Sequence, residues 1–265
     1  MQTITKISAQ KRRGRYNIFL DGKYAFAVSE GTLVKYRLIK GLELAPEDVK
    51  AVQAAEVAAV ANATALNFIS HQPRTVHEVR DRLRQDEVPV EVIKQVTDHL
   101  KAIRLLDDAQ YADILVRDNL SMGERGPRQV EARLREKGVH PDIAAQAVEH
   151  VTADQWRTVA NRVAKKAARR TQHKPFKDQQ AKIRLALMQK GFEGAVASAA
   201  LADLHLEPDP EQEADLLTRE VEKQWRLKRK YTGFDRRNRV KQALVRKGFD
   251  YDAIDAALAR LEEDE

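Results

Sequence analysis

Seven histidines, the doublet Asp107-Asp108 and a large store of Lys and Arg are the residues of this chain with chemistry to offer. The histidines are scattered. His71 and His77 have neither the spacing nor the carboxylate neighbours with which two imidazoles hold zinc on one helix face, so they read as surface or satisfied core histidines. Asp107-Asp108 offers two carboxylates to a divalent cation. It follows Leu105-Leu106 at the start of a helical pattern, however, where a carboxylate accepts the free N–H groups of a first turn, and the cap is the simpler reading. The chain has no phosphate loop, nucleophile elbow or dinucleotide fingerprint. No catalytic residue, cofactor or metal is expected, and binding is the chemistry to look for.

The cations are segregated. Lys and Arg number 47 against 40 Asp and Glu, a net charge of +7. From Arg162 to Lys190 the chain carries Lys165, Lys166, Arg169, Arg170, Lys174, Lys177, Lys182 and Arg184 with a single acid, Asp178. From Lys223 to Lys247 it carries Arg226, Lys228, Arg229, Lys230, Arg236, Arg237, Arg239, Lys241 and Arg246, again with one acid, Asp235. An acidic stretch from Glu207 to Glu222 separates the two, and Lys11, Arg12, Arg13 and Arg15 form a third cluster at a hairpin tip. One charge run is ordinarily a solvated helix face. Three clusters repel one another without reward unless they meet a polyanion or an acidic protein surface. The expected contacts are Lys11, Arg12, Arg13 and Arg15, then Lys165, Lys166, Arg169, Arg170 and Lys174, then Arg226, Lys228, Arg229, Lys230, Arg236 and Arg237.

The elements that must position these cations recur. Residues 79–100, 130–151, 183–204 and 240–261 align without a gap. Each copy opens with Val79, Val130, Ile183 or Val240 and places a leucine four residues on, at Leu83, Leu134, Leu187 or Leu244, one turn away on the same helix face. Lys137-Gly138, Lys190-Gly191 and Lys247-Gly248 then read as helix stops, with glycine in the left-handed cap conformation and an apolar residue after it, Val139, Phe192 or Phe249. The first copy has Asp86-Glu87-Val88 instead, so its stop is expected to be built differently or to be less sharp. A further helix restarts near Pro89, Pro141 and Asp250, with Val96, Ala147, Ala200 and Ala257, then Leu100, Val151, Leu204 and Leu261, on its apolar face. With an amphipathic segment upstream of each copy, the unit is three helices of roughly 50 residues, too small to bury much core alone and expected to lean on its neighbours. Trp156, Trp225, Phe192 and Phe249 fall at helical apolar spacing and belong to core.

The first fifty residues differ. Ile4 to Gln10, Tyr16 to Leu20 and Lys23 to Val28 have strand composition, with Asp21-Gly22 as a hairpin turn and a short helix following from Ser29 to Leu38. Ile18, Leu20, Tyr24, Phe26 and Val28 are the expected core of a three-stranded meander. The expected organisation is mainly α: an N-terminal module over 1–50, then three-helix repeats over 51–106, 107–152, 153–207 and 208–265 in an elongated array. Absence of cysteine excludes disulfides and thiolate metal sites, and no uninterrupted apolar run approaches the roughly 20 residues of a membrane span, so the default expectation is a soluble cytoplasmic chain.

Four segments together carry a family resemblance: Arg15-Tyr16-Asn17-Ile18-Phe19-Leu20-Asp21-Gly22; Pro73-Arg74-Thr75 with Glu78 and Leu83; Leu106-Asp107-Asp108 with Tyr111-Ala112; and Gly126-Pro127 leading to Leu134-Arg135-Glu136-Lys137-Gly138. In order and spacing they resemble the RecX family of bacterial recombinase regulators over nearly the whole chain, and the extra unit resembles its longer members. The resemblance implies a curved array of three-helix units and a non-enzymatic, monomeric modulator that binds the RecA filament on single-stranded DNA. Members of the family typically restrain RecA filament growth or strand exchange, in DNA repair, recombination and the SOS response, and some bind DNA themselves, so single-stranded and also double-stranded DNA are expected partners beside the filament. Two other readings stand beside it. One is a non-sequence-specific DNA binder, since the helix pair joined at Lys-Gly-Phe looks like a helix-turn-helix although no base-reading Arg, Asn or Gln follows its turn. The other is a scaffold for an unrelated protein, which leaves the charge clusters without a reason.

Overall fold

The computed structural model describes residues 1–11 and 13–263. Its N-terminal module is a sheet of β1 (Gln2–Ala9), β2 (Arg15–Leu20), β3 (Lys23–Ser29) and β4 (Glu43–Leu44), in the order β3-β2-β1-β4, with α1 (Glu30–Lys35) between β3 and β4. All neighbours are antiparallel. The expected meander is therefore present, with a fourth strand added at the β1 edge. Two residues are too few for alternation to announce a strand. Glu43–Leu44 is brought there by hydrogen bonds from Ile4 N to Leu42 O (2.9 Å) and from Gly41 N to Ile4 O (2.8 Å).

Ile4, Ile18, Leu20, Phe26, Val28, Leu38, Leu44 and Val52 form the module's core. Tyr24, expected among them, is 59% exposed. The β2–β3 register shifts after the Ile18–Phe26 pair, and Phe19 next pairs with Tyr24. That one-residue slip moves Tyr24 to the opposite face, where its ring meets Phe19 edge-on at 5.9 Å.

Twelve further helices follow among the described residues: α2 (Pro46–Ser70), α3 (Val76–Gln85), α4 (Val90–Ala102), α5 (Asp108–Met122), α6 (Pro127–Glu136), α7 (Pro141–Glu149), α8 (Ala153–Thr171), α9 (Phe176–Gln189), α10 (Gly194–Ala202), α11 (Pro210–Leu227), α12 (Gly233–Arg246) and α13 (Tyr251–Glu263). The chain divides into two compact units, residues 1–113 with 134–144, and residues 114–133 with 145–265. In the first, α2 crosses residue 50 without a break. Val52 enters the sheet's core, Glu56 accepts from Ser29 N (2.8 Å), Ser29 Oγ (2.9 Å) and Arg15 (2.5 Å), and Ala61 and Ala65 pack with Val76, Val79, Leu83, Ile93, Val96 and Leu100 from α3 and α4. By length and composition α2 is also the one described helix apolar enough to cross a membrane. Lys50 and Glu56 interrupt its apolar runs, and its buried residues belong to these two cores.

The eight repeat positions that define the register are all fully buried: Val79, Leu83, Val130, Leu134, Ile183, Leu187, Val240 and Leu244. On the restarting helix the deepest column is Ile93, Ala144, Ala197 and Ile254. It lies one turn before the expected positions, of which Val96, Leu100, Ala147 and Ala200 are buried and Val151, Leu204, Ala257 and Leu261 half-buried. Trp156, Trp225, Phe192 and Phe249 are buried as expected.

All four stops close with the same hydrogen bonds. Glu87, Gly138, Gly191 and Gly248 donate to Arg84 O, Arg135 O, Met188 O and Val245 O, and the next residues, Val88, Val139, Phe192 and Phe249, donate to Leu83 O, Leu134 O, Leu187 O and Leu244 O. Glu87 takes the left-handed conformation at φ 57° without being glycine, so the first stop is as sharp as the others. The difference lies outside the turn. A Cβ on Gly138 would run into the His77 side chain, one on Gly191 would lie 2.8 Å from Gln129 N, and one on Gly248 2.9 Å from Asp178 N. Glycine is needed at these three because each turn presses on the beginning of the preceding copy's helix. Glu87 is exposed. Polar bonds seal two of these junctions: Thr75 Oγ1 donates to Lys137 O (2.7 Å), and Gly126 N donates to Lys190 O (2.7 Å).

Candidate polyanion interface

Within the second unit, α8 starts from a capping box in which Thr152 accepts from Gln155 N and the Gln155 side chain accepts from Thr152 N. It buries Trp156, Val159, Ala160, Val163 and Ala164. Its other face turns Lys165, Lys166, Arg169 and Arg170 to solvent, two i, i+4 columns in which the positive end groups suit the helix C-terminus. Lys166 is held by Glu124, which also takes Lys190 at 3.2 Å, and those two hydrogen-bonded ammonium groups hold the Glu124 carboxyl below its ordinary range. Lys165, Arg169 and Arg170 have no carboxylate partner among the described residues. Lys174, past the end of α8, lies 3.6 Å from Asp178.

The second block splits into structural and free cations. Arg236 lays its guanidinium 3.9 Å above the Trp225 ring and donates to Trp225 O at 3.0 and 3.3 Å. Arg237 pairs with Glu262 (2.5 Å) and Asp255 (3.4 Å). Both are among the expected contacts with a partner; in the structure both are half-buried and tie α11, α12 and α13 together. Sequence position does not separate them from their neighbours, because the groups they bind lie 11 to 25 residues away. Lys228 is half-buried and donates to Gln224 (2.8 Å). Arg226, Arg229 and Lys230 are exposed with no carboxylate partner among the described residues.

The fold brings the two blocks together. A cavity of about 370 Å³ is lined by Lys174 and Lys182 from one block and by Arg246 and Lys247 from the other, with Asp178 and Glu220 between them. Lys247 reaches Glu220 at 2.5 Å; burial opposes the charge on that carboxyl, yet the bonds from Lys247 and Gln224 leave it below its ordinary range. Arg246 and Lys247 also line a groove of about 520 Å³ with Lys228, Lys230, Tyr231 and Arg239. Cationic side chains thus continue from the α8–α9 turn across α12 to the α11–α12 corner. Arg239 and Arg246, on one face of α12, belong to the charge block without being among the expected contacts; their seven-residue spacing is the signal that could have found them.

In the first unit, Lys11 and Arg13 are exposed, whereas Arg15, also an expected contact, is the half-buried partner of Glu56 already described. Arg12 lies outside the described residues. Asp107 accepts from Ala109 N (2.9 Å) and Gln110 N (3.1 Å), and Asp108 from Val76 N (2.9 Å), so both carboxylates serve backbone amides. No group of three or more metal-ligating residues occurs among the described residues.

Family models fall on the chain in order: the Regulatory protein RecX N-terminal domain on residues 2–45, and the RecX first, second and third three-helix domains on 61–100, 107–148 and 211–258. The stretch between 148 and 211, which carries α8, α9 and α10, is outside these matches. A protein named Regulatory protein RecX from Lacticaseibacillus casei (strain BL23) is 48% identical over 263 residues, covering 99% of this chain and all of its own length. Another of that name from Levilactobacillus brevis (strain ATCC 367) is 43% identical, with 99% of each chain covered. A crystal structure of regulatory protein RecX superposes with a TM-score of 0.63 at 34% identity, covering 75% of this chain and 98% of that one.

Proposed function

Because this chain belongs to the RecX family, we propose that it is a non-enzymatic cytoplasmic regulator that binds the RecA filament on single-stranded DNA and restrains recombinase activity. The observation that carries this reading is the set of exposed cations without a carboxylate partner among the described residues, Lys165, Arg169 and Arg170 on α8, Arg246 on α12 and Arg226, Arg229 and Lys230 at the α11–α12 corner, which fits phosphates or acidic protein groups exposed along a filament. Lys165, Arg169 and Arg170, with Arg226, Arg229, Lys230 and Arg246, supply the contact, while Lys166, Lys174 and Lys228 contribute after exchanging their present partners. The third and fourth units carry these groups on α8, α11, α12 and the turns that follow them, and the N-terminal basic cluster of the sequence, Lys11, Arg12 and Arg13, adds to them.

The test is RecA-dependent ATP hydrolysis on single-stranded DNA, measured as the protein is titrated in. A dose-dependent fall is expected. Replacing Lys165, Arg169 and Arg170 by Gln, and separately Arg226, Arg229 and Lys230, should weaken inhibition and reduce its salt dependence by about 0.7 in log–log slope for each phosphate that is no longer neutralised. Unchanged inhibition by both variants would remove the basic surface from the mechanism. If the wild-type protein leaves ATP hydrolysis untouched but binds bare duplex, DNA binding without RecA becomes the better reading.

A further inference from the structure

The α11–α12 corner has a feature that contact through charge leaves without a purpose. Phe234, in the first turn of α12, is 81% exposed, and Leu227, the last residue of α11, is 64% exposed. Large apolar side chains held this far into water beside a cluster of cations call for an occupant that has both apolar faces and negative charge. Tyr231 does not present its ring as freely. Arg239 lies 4.1 Å from its centroid and Lys230 5.0 Å. The single carboxylate between residues 223 and 247, Asp235, is already held by Arg239 at 3.0 and 3.1 Å, so it does not neutralise the corner. Thr232, the N-cap of α12, makes no side-chain cap bond, which leaves first-turn amides open beside Phe234.

We infer that this corner is a base-stacking contact for single-stranded DNA, with Phe234 as the platform and Arg226, Arg229 and Lys230 holding the flanking phosphates. Every unpaired base offers a π-face to an aromatic ring, and its backbone offers charge at the spacing of such a basic rim. A duplex keeps its base faces stacked on one another. An acidic peptide would satisfy the cations and leave the phenyl ring idle. The inference deepens the function proposed above, and it rests on that proposal's premise that a DNA strand lies against this unit.

The test is binding of the full chain to labelled oligothymidylate, to an abasic oligonucleotide of equal length and to a duplex, by fluorescence anisotropy at physiological salt. Phe234→Ala and Phe234→Trp are compared with the wild type. Because Phe234 is exposed, both variants should fold, as circular dichroism will check. The wild type should bind oligothymidylate about fivefold or more tightly than the abasic strand, the effect of at least one stacked base. Phe234→Ala should lose that preference while keeping its affinity for the abasic strand, and Phe234→Trp should retain it with quenched tryptophan emission. Equal binding of oligothymidylate by wild type and Phe234→Ala overturns the inference, as does a wild type that prefers duplex or does not distinguish bases from bare phosphates. RecA ATP hydrolysis, run on the same samples, keeps the two readings apart. A protein that inhibits RecA but shows no base preference loses only the stacking contact; one that reads bases but never alters RecA loses only the regulator.

Discussion

Replacing Gly191 by Ala tests whether the glycine stops are junctions or merely helix ends. Gly191 has φ +88°, and an added Cβ would lie 2.8 Å from Gln129 N and 3.3 Å from Arg128 Cβ. The left-handed conformation alone costs a non-glycine residue about 1–2 kcal/mol. The overlap adds to this, because a backbone nitrogen cannot rotate away as a side-chain end can. Relieving it means loosening the bonds from Gly126 N to Lys190 O (2.7 Å) and from Gln129 Nε2 to Gln189 O (2.6 Å), each worth about 1 kcal/mol. The expected loss is about 3–4 kcal/mol for Gly191→Ala. Gly191→Asn separates the two causes, since Asn enters the left-handed region at little cost but still carries a Cβ; it should remain about 2 kcal/mol below the wild type. Urea unfolding followed by tryptophan fluorescence is a suitable assay, because Trp156 on α8 reports the helices that Gly191 joins. If Asn restores the wild-type midpoint, the turn needs only its backbone conformation and the junction argument is wrong.

Two other outcomes follow from the charged groups that tie helices together. Arg236→Ala should cost about 1–3 kcal/mol through loss of its stacking on Trp225 and the bonds to Trp225 O, with a shift in tryptophan emission and an unchanged salt slope of DNA binding; a weaker slope at undiminished stability would return it to the interface. Acid should weaken the fold through Glu78, Glu124 and Glu220. Burial opposes ionisation of Glu78, but bonds from Lys137 and Thr75 leave its carboxyl below the ordinary range, and Glu124 and Glu220 are lowered likewise. A carboxyl that ionises more readily folded than unfolded stabilises at neutral pH and ceases to do so as acid protonates it. The midpoint of thermal unfolding should therefore fall as pH drops from about 5 towards 3, and less steeply in Glu78→Gln; parallel curves for the two proteins would show that the Glu78–Lys137 pair plays no part.

Much of the fold is legible in the sequence because helical periodicity is local. Val79 and Leu83 declare a buried face to anyone who counts residues, and so do their counterparts. Thr75 with Glu78 announces its own capping box, and Lys-Gly announces a stop. What is not legible depends on residues far apart. Nothing near Gly138 or Gly191 in the sequence says that His77 or Gln129 will lie against it. The same is true of Arg236 and Arg237, indistinguishable by type from Arg226 and Arg229 until α11 and α13 supply Trp225, Asp255 and Glu262. Tyr24 keeps the right alternation and is displaced by a one-residue slip, and β4 exists only because Ile4 and Gly41 bring it to the β1 edge. The basic surface is legible as composition, whereas its division into fasteners and free cations requires the fold.

The uninterrupted course of α2 bears on how this protein can be taken apart. A cut at residue 50, where composition changes, would not release an independent domain. It would strip Val52 from the sheet and remove Glu56, the carboxylate that receives Ser29 and Arg15, from the piece that needs it. The other piece would keep Ala61 and Ala65 but begin its helix without the Ala45–Asp48 start, in which Asp48 accepts from Ala45 N at 3.0 Å. The sheet and the first helical core share a backbone, so they are expected to form and melt as one cooperative piece, and protease accessibility within α2 should appear only when both are lost.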